Sequence, residues 1–183
     1  DLLNEAEDRV AKIVGEKNPD LTDTEKAEIS TKIGLGAVKY ADLLPNRQSD
    51  YVFSWDKMLS LQGNTAPYLL YAYTRIQSIF RKAGSNGIDP SALRVTADEE
   101  LALAKKLMEF GTILDQVAED YRPNLLCNYL FELAGLFSRF FESCPVRKSE
   151  AAVRASRLVL CELTARVLGQ GLKILVIRTK IGR

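Results

Sequence analysis

The chain has 183 residues, 46% of them hydrophobic and 27% charged, which is a globular composition with room for one core of ordinary size. It contains no histidine, so nucleophiles activated by histidine and all histidine-containing zinc sites are excluded. The net charge is only +1, but residues 144–183 carry 9 basic and 2 acidic side chains, which indicates either an anionic partner or a solvated charged face.

Residues 1–62, here called the leader, are predicted to be mostly helical. They begin with "DLLNEAEDRV", inside an amphipathic pattern and without Met, so we expect a piece of a longer protein. Thr22 and Glu25 form a capping box before apolar residues that continue at helical spacing to Leu44. The alternation in "DYVFSW" predicts one short strand near residues 50–54, and "DKMLSL" predicts a short helix after it.

The segment "GNTAPYLLYAYTRIQSIFRKAG", residues 63–84, predicts one helix that ends at Gly84. Its apolar residues mark a buried face, which comprises Leu69, Tyr73, Ile76, Phe80 and Ala83. A second stripe lies roughly opposite and comprises Tyr68, Tyr71, Arg75, Ser78 and Lys82. The helix therefore carries rings and cations on the side away from its core.

Three further helical regions follow in residues 85–183 after a turn-rich linker. The first starts with a predicted capping box of Thr96 and Glu99 and has a predicted break near Gly111. The second, "RPNLLCNYLFELAGLFSRFFESCP", has a narrow polar stripe and is expected to be central. The third is predicted to end at Gly169 or Gly171, before a basic apolar tail. The predicted fold is all-α, with a bundle of about five helices over residues 63–183.

The residues present no persuasive catalytic or metal site. The acids Asp98 to Glu100 fall in a first helical turn, where carboxylates favour the helix macrodipole. Cys127, Cys144 and Cys161 are far apart and odd in number, which favours buried thiols in a reducing compartment. The sequence predicts no phosphate-binding loop, no signal peptide and no membrane-spanning run.

One stretch, residues 36–84, closely resembles the arginyl-tRNA synthetases. Its motifs follow the family's order: V-K-Y-A-D-L (38–43), N-R (46–47), D-Y (50–51), W-D-K-M-L (55–59) and G-N-T-A-P-Y-L (63–69), followed by Y-A, R-I, S-I and R-K. Further on, "LCNYLFELAGLFSRFFESCPV" and "SRLVLCELTARVL" resemble the family's later helices. Two departures are the end "VIRTKIGR", which lacks the family's terminal Met, and Val176, which replaces a small residue.

The resemblance implies a class I synthetase that activates arginine with ATP and Mg²⁺ and charges arginine tRNA in the cytoplasm. The family's two catalytic signatures lie upstream, so this chain is expected to be inactive alone. It implies that residues 1–62 are the end of the catalytic core and that residues 63–183 are the helical anticodon-binding domain. We expect no DNA or membrane partner, a monomeric parent protein, and self-association of this chain through an exposed leader. An intact enzyme of unknown type and a protein-interaction bundle without RNA binding are the alternatives.

Six residues are predicted to bind tRNA. Tyr68 and Tyr71 either stack on unpaired bases or pack across the junction with the leader, and Arg75 and Lys82 contact the tRNA closer to the catalytic core. Arg154 and Arg157 lie one turn apart and are predicted to hold phosphates of the anticodon stem-loop. Alternatively, Arg157 and Arg166 pair with Glu162 or with the acidic helix near residues 115–120.

Overall fold

A computed structural model describes residues 1–83, 88–146 and 148–179, together with all of their side chains except that of Ala83. The predicted helix stop at Gly84 therefore lies outside the described residues, as do Arg147 and Lys180 and the buried position predicted for the Ala83 side chain. Within the described ranges, no helix is long and apolar enough to span a membrane.

The leader forms three helices: α1 (Leu2–Lys17), α2 (Asp23–Leu43) and the single turn α3 (Trp55–Met58). The capping box is confirmed, since Glu25 accepts from the backbone N–H of Thr22 at 3.0 Å and its own N–H reaches Thr22 Oγ1 at 3.3 Å. α1 packs closely along α2, so that a Cβ at Gly34 would lie 3.0 Å from the backbone nitrogen of Glu7.

The predicted strand near residues 50–54 is wrong. Residues 50–54 form no regular secondary structure, and the described residues contain no strand with which they could pair. The alternation has a local cause, because the ring of Phe53 packs edge-on against Trp55 with 4.8 Å between centroids. Val52 is 89% exposed, and the leader also exposes the apolar side chains of Leu2, Leu3, Ile13 and Leu61. Self-association through the exposed leader stays a prediction.

The rest of the described chain forms five α-helices, as predicted, and one short 3₁₀ helix (Pro90–Ala92). The helices are α4 (Ala66–Ala83), α5 (Asp98–Met108), α6 (Phe110–Asp120), α7 (Pro123–Ser143) and α8 (Ala151–Ile174). α7 is central, as predicted, since it contacts α2, α4, α5, α6 and α8. Its fully buried side chains, among them Leu130, Leu133 and Phe137, form the middle of the core.

Two predicted helix boundaries are wrong and one is nearly right. Glu100, not Glu99, caps α5, because Glu100 accepts hydrogen bonds from the backbone N–H groups of Thr96 and Ala97 at 2.8 and 3.2 Å. The break before α6 lies at Glu109, two residues before Gly111. α8 runs through both of its glycines to Ile174, since they serve close packing instead of chain reversal. A Cβ at position 171 would lie 2.5 Å from Leu130 Cδ2.

The chain turns back after α8 and contacts the leader. The backbone N–H of Val176 donates to the carbonyl of Lys173 at 2.9 Å, and that of Ile177 donates to the carbonyl of Leu172 at 2.9 Å. This pair of bonds is a Schellman motif, in which Val176 occupies the left-handed position with φ +59°. Ile177 is buried, and its Cγ2 lies 3.2 Å from the Cβ position of Gly36 in α2.

Candidate nucleic-acid interface

The polar stripe of α4 is only partly available to a ligand. Tyr71 is 55% exposed and Lys82 is exposed, so the structure presents both to solvent. Tyr68 is half-buried, and its ring meets Phe131 of α7 edge-on with 5.5 Å between centroids. Arg75 is also half-buried, with its guanidinium carbon 4.7 Å from the centroid of the Phe141 ring. The cations and rings on this side of α4 are therefore explained in part by packing, because α7 provides aromatic rings that contact Tyr68 and Arg75.

The two arginines at the start of α8 have different surroundings. Arg154 is exposed in the first turn of the helix. The Arg157 side chain is 13% exposed, and its Nε donates to Oε1 of Glu100 at 2.7 Å. Its NH1 donates to the carbonyl of Pro145 and to Ser149 Oγ, both at 2.9 Å. Arg157 thus joins the start of α5 to the loop before α8. The alternative pairing with Glu162 is wrong for Arg157 but is confirmed for Arg166, whose Nε lies 2.7 Å from Glu162 Oε1.

Glu100 is the acid that holds this arrangement together. Burial raises the pKa of its carboxyl, but hydrogen bonds from the Thr96 N–H, from Arg157 and from the Ala97 N–H, with the charge of Arg157, lower the pKa below its ordinary value overall. The carboxylate therefore stays ionised at neutral pH. One group caps α5 and anchors α8, a role that the sequence pattern did not reveal.

A polar junction connects the leader to the bundle. The Tyr40 hydroxyl of α2 lies 2.9 Å from the carbonyl oxygen of Cys127, to which it donates, and close to Oδ1 of Asn64. The Asn64 amide in turn donates to Oδ1 of Asn128 at 3.0 Å. Burial, followed by the interaction with Cys127, raises the pKa of Tyr40 far above its ordinary value. The G-N-T-A-P-Y-L motif therefore positions α4 on both α2 and α7.

The three cysteines are free and buried, and no group of three potential metal-ligating side chains occurs within the described residues. Burial raises the pKa of Cys127 and of Cys161 to about 12. Neutral, enclosed thiols of this kind contribute to packing.

Two family models match the chain in adjoining regions. The DALR anticodon binding domain matches residues 69–180. The chain belongs to this family. A second model, the catalytic domain of class I tRNA synthetases (R), matches residues 1–55. The DALR match begins within α4 and extends past α8, and the catalytic-domain match includes α1 and α2. The hydrogen bond from Tyr40 to Cys127 therefore joins the two matched regions.

Relatives of this DALR-domain chain carry the name arginine–tRNA ligase. The protein from Cellvibrio japonicus is 54% identical over 96% of the chain, and that from Chromobacterium violaceum is 54% identical over 97%. The chain spans 31% of the length of each. These matches confirm the resemblance to the arginyl-tRNA synthetases.

Solved structures agree with these relatives. Thermus thermophilus arginyl-tRNA synthetase superposes with a TM-score of 0.89 at 32% identity, over 100% of this chain and 32% of that one. The enzyme from Plasmodium falciparum superposes with a TM-score of 0.86 at 30% identity, over 97% of this chain and 32% of that one. The helical DALR fold is therefore confirmed, and the division at residues 62 and 63 stays a prediction.

Proposed function

We propose that this chain is the tRNA-binding part of an arginine–tRNA ligase, with arginine tRNA as its partner. The observation that carries the proposal is the DALR match over residues 69–180, a region in which α4 and α8 present aromatic and cationic side chains to solvent. The match does not favour the alternative, a protein-interaction bundle without RNA binding.

The six predicted contacts fall into four groups by their exposure and contacts. Tyr71 is the residue best placed to stack on an unpaired base, because it is 55% exposed. Lys82 and Arg154 are exposed cations suited to phosphates. Tyr68 and Arg75 support this surface from their positions over α7, with part of each side chain accessible. Arg157 stabilises the bundle through its ion pair with Glu100, so it is not among the tRNA contacts that we propose.

For the whole protein we propose ATP-dependent formation of arginyl-tRNA. ATP and Mg²⁺ are proposed to bind outside the residues of this chain, and the chain alone is expected not to charge tRNA. The cytoplasm is the proposed compartment, since three unpaired thiols suit a reducing environment.

Binding of purified arginine tRNA to the chain tests the proposal. We expect salt-dependent binding that Tyr71→Ala weakens by about 1–3 kcal/mol, the contribution of one base stacked on an aromatic ring. Arg154→Gln should weaken binding and lower its salt dependence, because it removes one phosphate contact. Lys105→Gln is the matched control, since Lys105 is exposed on α5 and away from the α4 stripe.

Two results would contradict the proposal. One is the absence of tRNA binding at low salt by a folded chain. The other is retention of a specific protein partner by a chain that binds no RNA, which would favour the interaction-domain alternative. If this chain alone charged tRNA, the proposal that ATP binds outside its residues would be wrong.

A further inference from the structure

A groove with a positive lining lies between the leader and the end of α8. It has a volume of about 730 Å³ and is bounded by α2, α4, α8 and the segment that follows α8. None of the described residues that line it is acidic, whereas five are cationic: Lys32, Lys39, Arg166, Lys173 and Arg178. We call this space and its five cations the basic groove.

The cations come from two distant segments that the fold brings together. Lys32 and Lys39 lie on α2, and the other three lie on α8 or just beyond it. Lys39 Nζ donates to the carbonyl of Val176 at 3.2 Å, across 137 positions of sequence. A run of charges on one helix is ordinary solvated surface. Convergence of two segments in a concave site instead concentrates positive potential where a ligand can enter.

Acidic neighbours neutralise little of this charge. Arg166 pairs with Glu162 at 2.7 Å and Lys32 pairs with Glu28 at 3.1 Å, each one turn apart along its own helix. Such partly exposed pairs are weak and leave the cations able to exchange partners. Lys39, Lys173 and Arg178 form no salt bridge with any described residue. The groove is therefore suited to an anion.

The surroundings favour a polyanion over a single small phosphate. Compact phosphate sites use backbone N–H groups at the N-terminus of a helix, where the macrodipole is positive. The basic groove lies at the C-terminal end of α8, where the macrodipole is negative and the Schellman motif already binds the last carbonyls. Its charges stand on long side chains spread over three elements, an arrangement that matches phosphates repeated along a backbone.

We infer that the basic groove binds phosphates of the tRNA backbone, as a second RNA contact apart from the stripe that includes Tyr71. This inference rests on the proposed function. Tyr73 lines the groove, and its Cε2 lies 3.1 Å from the Cβ position of Gly169. Residues 71 and 73 lie about 200° apart around α4, so the two contacts lie on different sides of this helix. RNA in the groove touches both α2 and α8 and thereby joins the leader to the bundle.

The test is the salt dependence of arginine tRNA binding by the double variant Lys173→Gln/Arg178→Gln. We expect the slope of log association constant against log salt to fall by about 1 for each phosphate contact removed, hence by about 2. The matched control is Lys12→Gln/Lys105→Gln, which removes two exposed cations from α1 and α5 and gives the same net charge. The control should keep the wild-type slope, and thermal unfolding should show that both variants are folded.

Each other outcome has a definite meaning. If wild type binds tRNA and both double variants keep its slope and affinity, the groove is not an RNA contact, while the proposed function stands. If wild type binds no tRNA, the proposed function fails and this inference fails with it. If inorganic phosphate protects wild type but not the groove variant against heat, while tRNA binding is unchanged, the groove is a small-anion site and the inference is overturned.

Discussion

Nε of Arg157 donates a 2.7 Å hydrogen bond to Oε1 of Glu100, although the two residues lie 57 positions apart in the chain. Glu100 is 1% exposed, and its other oxygen accepts from the backbone N–H groups of Thr96 and Ala97, just before α5. The pair therefore fixes the start of α5 against α8. The position of Arg157 in the sequence predicted a phosphate contact, but its guanidinium binds Glu100 of the same chain instead.

Removing either partner of this pair should destabilise the chain. Arg157→Ala leaves the Glu100 carboxylate buried without its cation, and loss of one member of a buried ion pair costs about 3–5 kcal/mol. Chemical denaturation at neutral pH measures the change. Arg154→Ala is the control and should change the free energy of unfolding by less than about 0.5 kcal/mol, because Arg154 is exposed. Equal, small effects of the two substitutions would show that the pair contributes nothing.

The same pair predicts a dependence of stability on pH. The pKa of Glu100 is lower in the folded chain than its ordinary value, so its contribution is fully present above the unfolded pKa, about 4.3. That contribution is lost as the pH falls through the folded pKa. Denaturation curves of wild type and Glu100→Gln should therefore differ most near neutral pH and converge in acid. A stability difference that grows in acid would contradict this sign.

The sequence predicted local features better than long-range ones. Thr22 and Glu25 form hydrogen bonds with each other within one helical turn, so the pattern alone identified their capping box. At α5 three consecutive acids were available, and the one that is buried, Glu100, pairs with Arg157 of a helix that is distant in sequence. The strand prediction failed for a related reason. A strand requires a partner for its backbone groups, and the periodicity of residues 50–54 carries no information on whether one exists.

The candidate site shows the same limit. Helical spacing correctly separated the exposed Tyr71 and Lys82 from the buried face of α4. It could not show that Phe131 and Phe141 of α7 would lie under Tyr68 and Arg75, because that contact depends on how two helices cross. The basic groove was missed for the same reason, since its lysines on α2 are remote in sequence from its cations on α8.

The three thiols should be inert in the folded chain. Burial raises the pKa of Cys127 and Cys161 to about 12 and also raises that of Cys144, so the reactive thiolate is scarce at neutral pH. A chromogenic disulfide reagent should find no fast-reacting thiol in native protein and all three after addition of denaturant. Rapid reaction of one thiol in the native chain would show that the segment around it opens readily.

Glycines within the helices should respond differently to substitution by alanine. At Gly171 a Cβ would lie 2.5 Å from the fully buried Leu130 side chain, so Gly171→Ala should destabilise by about 1–3 kcal/mol through overpacking. At Gly135, in the middle of α7, a Cβ would meet nothing within 4 Å. Gly135→Ala should stabilise by up to about 1 kcal/mol, the difference in helix propensity. Thermal unfolding separates the two, and similar shifts in both would contradict the close packing of α8 on α7.

Val176 stands where a helix usually ends in glycine, and this position should be improvable. Its φ of +59° is unfavourable for a β-branched residue and costs about 1–2 kcal/mol relative to the right-handed region. Glycine adopts this conformation freely but loses more backbone entropy on folding, about 0.5–1 kcal/mol. Val176 is 67% exposed, so little burial is lost with its side chain. Val176→Gly should therefore raise the free energy of unfolding by about 0.5–1 kcal/mol.

Ile174→Gly is the control, since Ile174 is exposed at the last helical position of α8, where the same replacement should destabilise. Denaturation of wild type and both variants measures the difference, and a destabilised Val176→Gly would mean that the Schellman turn is not strained by its valine.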